Sequence, residues 1–271
     1  MNKRKIILLA TALCMVAILA VSGTLAYFTD TDNADNVFTI GHVNIALKEQ
    51  QRKLDKDGQP EKDGRLVDFK QNKPLFPIVG SAQGEKDANG LPVAKNYVDK
   101  IITVENLADS QDAWVRVYLA VPSILDNVNP GLNVLHFNFG NHFATGEYTT
   151  EDYGYWGAET LIATEYEIKG VEYNIYYRDY NKIMSKDTET KSAAYVGFYL
   201  DKDVDYDNEN GYYTIRGEEI PADLLPTDAP ITIPVFALGV QAAGFDTCDA
   251  AMDAAFGNNY NPWTDVEEEQ E

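Results

Sequence analysis

The stretch AWVRVYLAV, residues 113–121, alternates with period two. Ala113, Val115, Val117, Leu119 and Val121 fall on one side, and Trp114, Arg116, Tyr118 and Ala120 on the other. Successive side chains of a strand point to opposite faces, so the segment is predicted to be a half-buried strand. Just upstream, YVDKIITVEN puts Val98, Ile102 and Val104 on one face, and the intervening LADSQD suits the turn of an antiparallel hairpin. EYEIKGVEYNIYYRDY carries two more strand-like runs around Lys169-Gly170, where glycine supplies the positive φ of a tight turn. AAYVGFYL and YYTIR flank the acidic DKDVDYDNENG as strand, turn and strand. ITIPVFALGVQ closes the pattern, and its Pro234 suggests an edge or a bulge. Tyrosine, at 17, outnumbers the other aromatics, and long helical periodicities are few. Short strands with such turns predict an all-β fold, a two-sheet antiparallel sandwich with loop insertions.

One short helix is expected at about 247–256. In GFDTCDAAMDAAFG, Asp246 can cap, Asp249 stands three residues later as in a capping box, and Gly257 can end the helix. Cys248, Ala251, Met252, Ala255 and Phe256 form the stripe of a packed face, so Cys248 reads as a small buried hydrophobe rather than a reactive thiol. KEQQRKLDKDGQPEKDGRL and GSAQGEKDANGLP read as surface loops or a hairpin. Residues 258–271, ending in DVEEEQE, read as a frayed acidic tail.

The first 26 residues read as a signal peptide. Lys3, Arg4 and Lys5 form a basic start, Ile6 to Val21 is apolar, and Ser22-Gly23-Thr24-Leu25-Ala26 supplies small residues for a cut between Ala26 and Tyr27. The apolar run is 16 residues long, short of the roughly 20 that span a bilayer. Residues 27–271 then form a single secreted domain. Removing the signal takes three positive charges and no negative ones, which moves the net charge from −21 to −24. Such a chain repels nucleic acid and anionic lipid and attracts cations. Cys14 lies in the signal, so Cys248 has no partner for an intramolecular disulfide. The 245 residues that remain must hold together by their core, and a domain of this size can. Export without disulfides suits a Gram-positive cell.

Between the cut and Leu47 the hydrophobic phase slips. Phe38 and Ile40 are even, whereas Val43, Ile45 and Leu47 are odd, with Gly41-His42 between them. A β-bulge at Gly41 is the first reading, and two strands with a turn there the second.

Motifs of catalysis are absent. None of His42, His136 and His142 begins an HExxH, there is no GxSxG, and no glycine loop for phosphate, so no catalytic residue is assigned. His136 and His142 lie six apart in HFNFGNH, a spacing that alone does not make a transition-metal site. Asp201, Asp203, Asp205, Asp207 and Glu209 alternate as oxygen ligands do in a calcium loop, but Tyr206 and Tyr212 stand where an EF-hand needs glycine and glutamate. Two readings stay open, a weak Ca²⁺ site at Asp201, Asp203, Asp205 and Asp207, or a solvated strand face. LLPTDAP begins like a sortase signal, but Asp228 replaces the glycine.

The opening GTLAYFTD followed by NVFTIGHVNIAL resembles the start of the TasA/camelysin family, exported Firmicute proteins cut by a SipW-type signal peptidase. Gly23, Thr24, Ala26, Tyr27, Phe28 and Asp30, then Phe38, Gly41, Val43 and Ile45, carry the likeness. Val104, Asn106, Ala113, Trp114, Val115, Arg116 and Val117 match a second family strand pair, without its usual glycine, and residues 231–257 resemble the end of clostridial relatives. The resemblance implies a jelly-roll-like sandwich and a secreted structural protein of the biofilm matrix. Fibres then form head to tail, with residues 27–36, led by Tyr27, Phe28, Thr29 and Asp30, donated to the next subunit. The implied partners are a second copy of the chain, the signal peptidase and an accessory matrix protein, with the membrane touched only through the uncleaved signal. Two alternatives are a camelysin-like metalloendopeptidase using Zn²⁺ at His136 and His142, and a monomeric surface or accessory protein whose N-terminus folds back on itself. Apart from weak Ca²⁺, no cofactor is expected.

Overall fold

The structure, a computed structural model, describes residues 26–29, 37–40, 42–56, 61, 65–70, 73–82, 84–87, 91–123, 125–126, 134–139, 155–190, 192–207, 212–220 and 230–264. Residues 1–25, Asp30, Gly41, His142, Glu209, Asp228 and the tail 265–271 lie outside them.

The strands in chain order begin with β1 (Ala26–Thr29), β2 (Val37–Ile40), β3 (Ile45–Arg52), β4 (Leu66–Asp68), β5 (Lys73–Leu75) and β6 (Val98–Asn106). Next come β7 (Ala113–Pro122), β8 (Leu135–Phe139), β9 (Thr160–Ile168), β10 (Val171–Asp179), β11 (Thr188–Glu189) and β12 (Tyr195–Leu200). The last are β13 (Val204–Asp207), β14 (Tyr212–Ile215), β15 (Glu218–Ile220), β16 (Pro230–Thr232) and β17 (Val235–Gln241), followed by the helix α1 (Cys248–Phe256).

The fold is all-β, as the alternation predicts. A five-stranded sheet, β2-β17-β7-β10-β9, faces a six-stranded one made of β4-β3-β6-β12-β8 with β11 beside β6. Two small sheets, β16-β1-β5 and β13-β14-β15, join the same core through Leu75, Val204, Tyr213, Ile215 and Ile220. Most pairs are antiparallel, but β1 with β16 and β2 with β17 run parallel.

Valine-rich faces make the core. Val115, Val117, Leu119 and Val121 of β7 meet Ile102 and Val104 of β6 and Tyr195 and Phe198 of β12 between the sheets. The opposite face of β7 is buried too, so the strand is not half-buried as expected. Trp114, Tyr118 and Ala120 pack with Phe236 and Leu238 under Cys248, Ala251 and Met252 of α1 and under Trp263. A helix laid over a sheet hides the second face, which strand periodicity does not reveal.

Several pairings depart from expectation. β6 and β7 are not a hairpin, because β6 pairs with β3 and β12 while β7 pairs with β17 and β10, so LADSQD carries the chain from one sheet to the other. The acidic stretch is not a turn between β12 and β14. Its residues 204–207 form β13, paired with β14 in register Val204↔Ile215 to Asp207↔Tyr212. Pro234 lies between β16 and β17, and β17 is a central strand rather than an edge. The β9–β10 hairpin forms as predicted, with Lys169 at φ 51° and Gly170 at φ 82°, both in the left-handed region that the tight turn needs.

The helix begins on Thr247, whose side chain accepts from the Ala250 N–H, rather than on Asp246. Asp249 is therefore not part of a capping box; it accepts from Arg116 Nη2 at 2.8 Å. Gly257, at φ 90°, ends the helix as predicted. Residues 258–264 are not frayed: Trp263 is buried against Phe236 and Tyr118, and Asn261 accepts from the Trp263 N–H. Both insertions fold onto the six-stranded sheet. The first extends β3 and returns as β4, and the second buries Leu91 against Ile101, Ala193 and Val196.

Candidate functional site

The phase slip at Gly41 marks a change of sheet. β2 lies parallel to β17, in register Val37↔Ala237 to Ile40↔Val240, while β3 joins β6 in the other sheet. The bulge reading is therefore corrected to two separate strands. Strands in different sheets need not share one alternation, because the connecting segment sets the phase anew. Val43 and Ile45 are buried where the chain crosses, and Gly239 opposite them has no room for a side chain. A Cβ there would sit 2.9 Å from Val43 Cγ1 and 3.1 Å from Ile45 Cδ1. The Gln111 N–H donates to His42 O, and the Asn44 N–H to Ser110 Oγ, which fixes the chain just after the crossing.

β1 occupies a slot of its own. It runs parallel to β16, in register Tyr27↔Pro230 to Thr29↔Thr232, and antiparallel to β5, in register Ala26↔Leu75 to Phe28↔Lys73. Tyr27 thus faces Pro74 on one side and Pro230 on the other. Proline has no N–H, so neither flanking strand offers a donor at that level, and both strands are edges, where proline is tolerated. Buried Leu75 and Ile233, with the Ile78 N–H donating to Leu200 O, tie the slot's walls to the sandwich. Of the residues expected to lead assembly, Tyr27, Phe28 and Thr29 lie in β1 and Asp30 falls outside the described residues. Of the two residues flanking the expected cut, both Ala26 and Tyr27 belong to the strand.

The candidate calcium ligands have other engagements. Asp201 Oδ2 lies 2.9 Å from His136 Nε2, and Asp201 Oδ1 accepts from the Asp203 N–H. Asp203 pairs with Lys202 at 2.6 Å and Arg216 at 3.2 Å, which lowers its carboxyl below the usual range. Asp205 and Asp207 belong to β13. Among the described residues no three His, Cys, Asp or Glu side chains converge as a metal site would need. His136 also stacks on Tyr199, with ring centroids 5.0 Å apart. Cys248 is buried under α1, its Sγ 3.3 Å from Val115 O, and burial pushes its thiol well above the ordinary range, as expected of an inert cysteine.

Three buried polar groupings escape sequence reasoning. Arg52, only 2% exposed, donates to both carboxylate oxygens of Asp99 at 2.7 Å, and also to Asp87 and Pro92 O. Arg116, under α1, holds Asp179 and Asp249 and lies 3.8 Å from the centre of the Tyr177 ring. Burial pushes the neighbouring Tyr118 hydroxyl up to about 12. The third grouping lies between the sheets. Tyr176 and Asn174 of β10 donate to Asp126, and Tyr195 of β12 donates to Glu159 at 3.1 Å. Arg178 donates to Gly157 O and Ala194 O. Burial raises Glu159 to about 7, and the charge of Asp126 adds to the rise. One signal was available in the sequence: an arginine inside an apolar alternation, such as Arg116, calls for a buried acid. Its partner 63 residues away could not be named from spacing.

No family, curated protein or solved structure matches the chain. Among the described residues no helix is long and apolar enough to cross a membrane.

Proposed function

We propose that the chain is a secreted structural protein of the extracellular matrix, of the TasA/camelysin kind, which assembles into fibres by donating its N-terminal strand. The observation that supports this is the slot between β5 and β16. It is filled by β1, of which Tyr27, Phe28 and Thr29 begin the expected mature chain, and it is flanked by prolines at Tyr27. A strand paired over only three positions with each neighbour is one that can leave, and when it leaves it opens two edges that accept an equivalent strand from another copy. Transfer of this kind is head to tail and does not close, so it makes filaments. Before the signal is cut, Tyr27 is tethered to 26 further residues. Cleavage would therefore release the strand for exchange.

The test is electron microscopy of mature protein beginning at Tyr27, beside a version with extra residues before it. Filaments from the first alone support the reading; filaments from both or from neither refute it. The same pairing of β1 within its own chain favours a second reading, a monomeric surface or accessory protein. Light scattering that stays monomeric at high concentration, with and without Ca²⁺, decides for that one.

A further inference from the structure

The wall of the slot continues as a ribbon. Beyond Leu75 of β5, residues 76–82 run antiparallel to residues 92–95, with Val79 opposite Lys95, the Val79 N–H donating to Lys95 O and the Val93 N–H to Glu85 O. Alternation gives the ribbon two sides. Ile78, Ala82 and Pro92 are buried, and the Ile78 N–H donates to Leu200 O of β12, so this side sits on the six-stranded sheet. Gly80 and Ala94 share it, since a Cβ at Gly80 would lie 3.9 Å from Ala94 Cβ. Val79 and Val93 are on the other side, 59% and 47% exposed, with exposed Ser81 and Lys95. Phe76, 39% exposed, stands one residue past the slot wall. Of the seven exposed large apolar side chains among the described residues, three belong to this stretch, and such clustering marks a contact surface.

Position and charge decide what covers this surface. Ala26, the last residue of the expected signal, pairs with Leu75 in an antiparallel ladder, so the chain in front of it leaves the slot at the Phe76 end. The apolar run of the signal ends at Val21, and the five peptide steps from there to Ala26 span at most about 18 Å. Val79 is four steps from Leu75, a span of at most about 14 Å. A bilayer that holds the signal is therefore within reach of the ribbon. Residues 48–100 hold eleven of the chain's 22 lysines and arginines and nine of its 43 acids, a net +2 in an expected mature chain of −24, which leaves −26 for the rest. A molecule so divided turns its acidic part away from an anionic surface and its other part toward it. Lys86 and Lys95 are exposed on the ribbon itself. We infer that, while the signal is uncut, the outer face of the ribbon rests on an anionic lipid surface and holds the cut between Ala26 and Tyr27 beside the bilayer. The inference rests on the signal-peptide part of the proposed function and is independent of fibre formation. The tether supplies the local concentration that three apolar side chains and two lysines need in order to stay bound, so cleavage also releases the surface.

Fluorescence of the full-length precursor in protein-free vesicles of phosphatidylglycerol and phosphatidylethanolamine tests this. Cys14→Ala and Cys248→Ala remove the native thiols, and Val79→Cys, Val93→Cys or Leu161→Cys carries an environment-sensitive dye. Leu161 is exposed too, but it lies in the acidic remainder of the chain. We expect the precursor to float with the vesicles, the dyes at 79 and 93 to shift to the blue and to be quenched by spin-labelled lipid, and the dye at 161 to do neither. The quenching should weaken with Lys86→Glu and Lys95→Glu together and in vesicles without the anionic lipid, and it should be lost in protein beginning at Tyr27. A floating precursor whose dyes at 79 and 93 are quenched no more than the one at 161 overturns the inference and leaves the signal reading standing. Quenching indifferent to both lysines and to lipid charge overturns it as well. A precursor that does not float refutes the signal reading and the inference together. Protection of position 79 in filaments of mature protein, but not on vesicles, assigns the surface to a second copy and overturns the lipid contact.

Discussion

Glu159 is the residue through which pH should reach the stability of the sandwich. Its carboxyl lies between the sheets, where it accepts from Tyr195, and burial raises it from an ordinary 4.5 to about 7. The folded chain therefore keeps this proton at pH values where the unfolded chain has released it. The stabilisation is whole below about 4.5 and is lost as pH rises from there through about 7. At 1.36 kcal/mol per pH unit the full effect is about 3 kcal/mol, and partial access to solvent reduces it to roughly 1–3 kcal/mol. Glu159→Gln keeps an oxygen for Tyr195 and cannot ionise. Urea unfolding of both proteins at pH 5 and pH 8 measures the difference, and comparing the two cancels histidine titration in the same window. The Gln variant should gain on wild type by about 1–3 kcal/mol between pH 5 and pH 8. A stability difference that does not change with pH would refute the assignment of a retained proton to Glu159.

Arg52→Met should cost about 3–5 kcal/mol in chemical unfolding, because Asp99 would stay buried without its cation. Adding Asp99→Leu should restore much of that loss, and no recovery would count against the ion-pair account. Gly239→Ala should cost about 1–3 kcal/mol, since its Cβ would press on Val43 and Ile45; an unchanged melting temperature would show that the crossing segment is not held against β17. For the acidic strand, calorimetric titration should give no heat at millimolar Ca²⁺, because Asp201 and Asp203 are already engaged by His136, Lys202 and Arg216. A saturable heat, removed by Asp201→Asn, would revive the calcium reading.

Local chemistry in the sequence determines a good part of this protein. Period-two alternation yields β7, β10 and β17, Lys169-Gly170 yields a hairpin, and the stripe from Cys248 to Phe256 yields the helix and its buried cysteine. These features follow from contacts within a few residues, so the chain specifies them wherever they end up. Partnership is another matter. Val98–Asn106 and Ala113–Pro122 are adjacent strands by sequence, yet they lie in different sheets, because the first pairs with β3 and β12 and the second with β10 and β17. The phase slip around Gly41 was legible, but whether it meant a bulge or a change of layer depended on β17 being there to receive β2. The sequence around Arg52, Arg116 and Glu159 names no partner for any of them. Their partners Asp99, Asp179 and Tyr195 come from 36 to 63 residues away, and Arg52 and Arg116 are buried beside theirs while Glu159 is half-buried. The N-terminal slot belongs to the same class. Tyr27 to Thr29 could be read as a strand next to a cut site, but the prolines beside it come from residues 74 and 230. Side-chain period is written in neighbouring residues, whereas burial, proton affinity and the choice of strand partner depend on what distant segments bring to the same place.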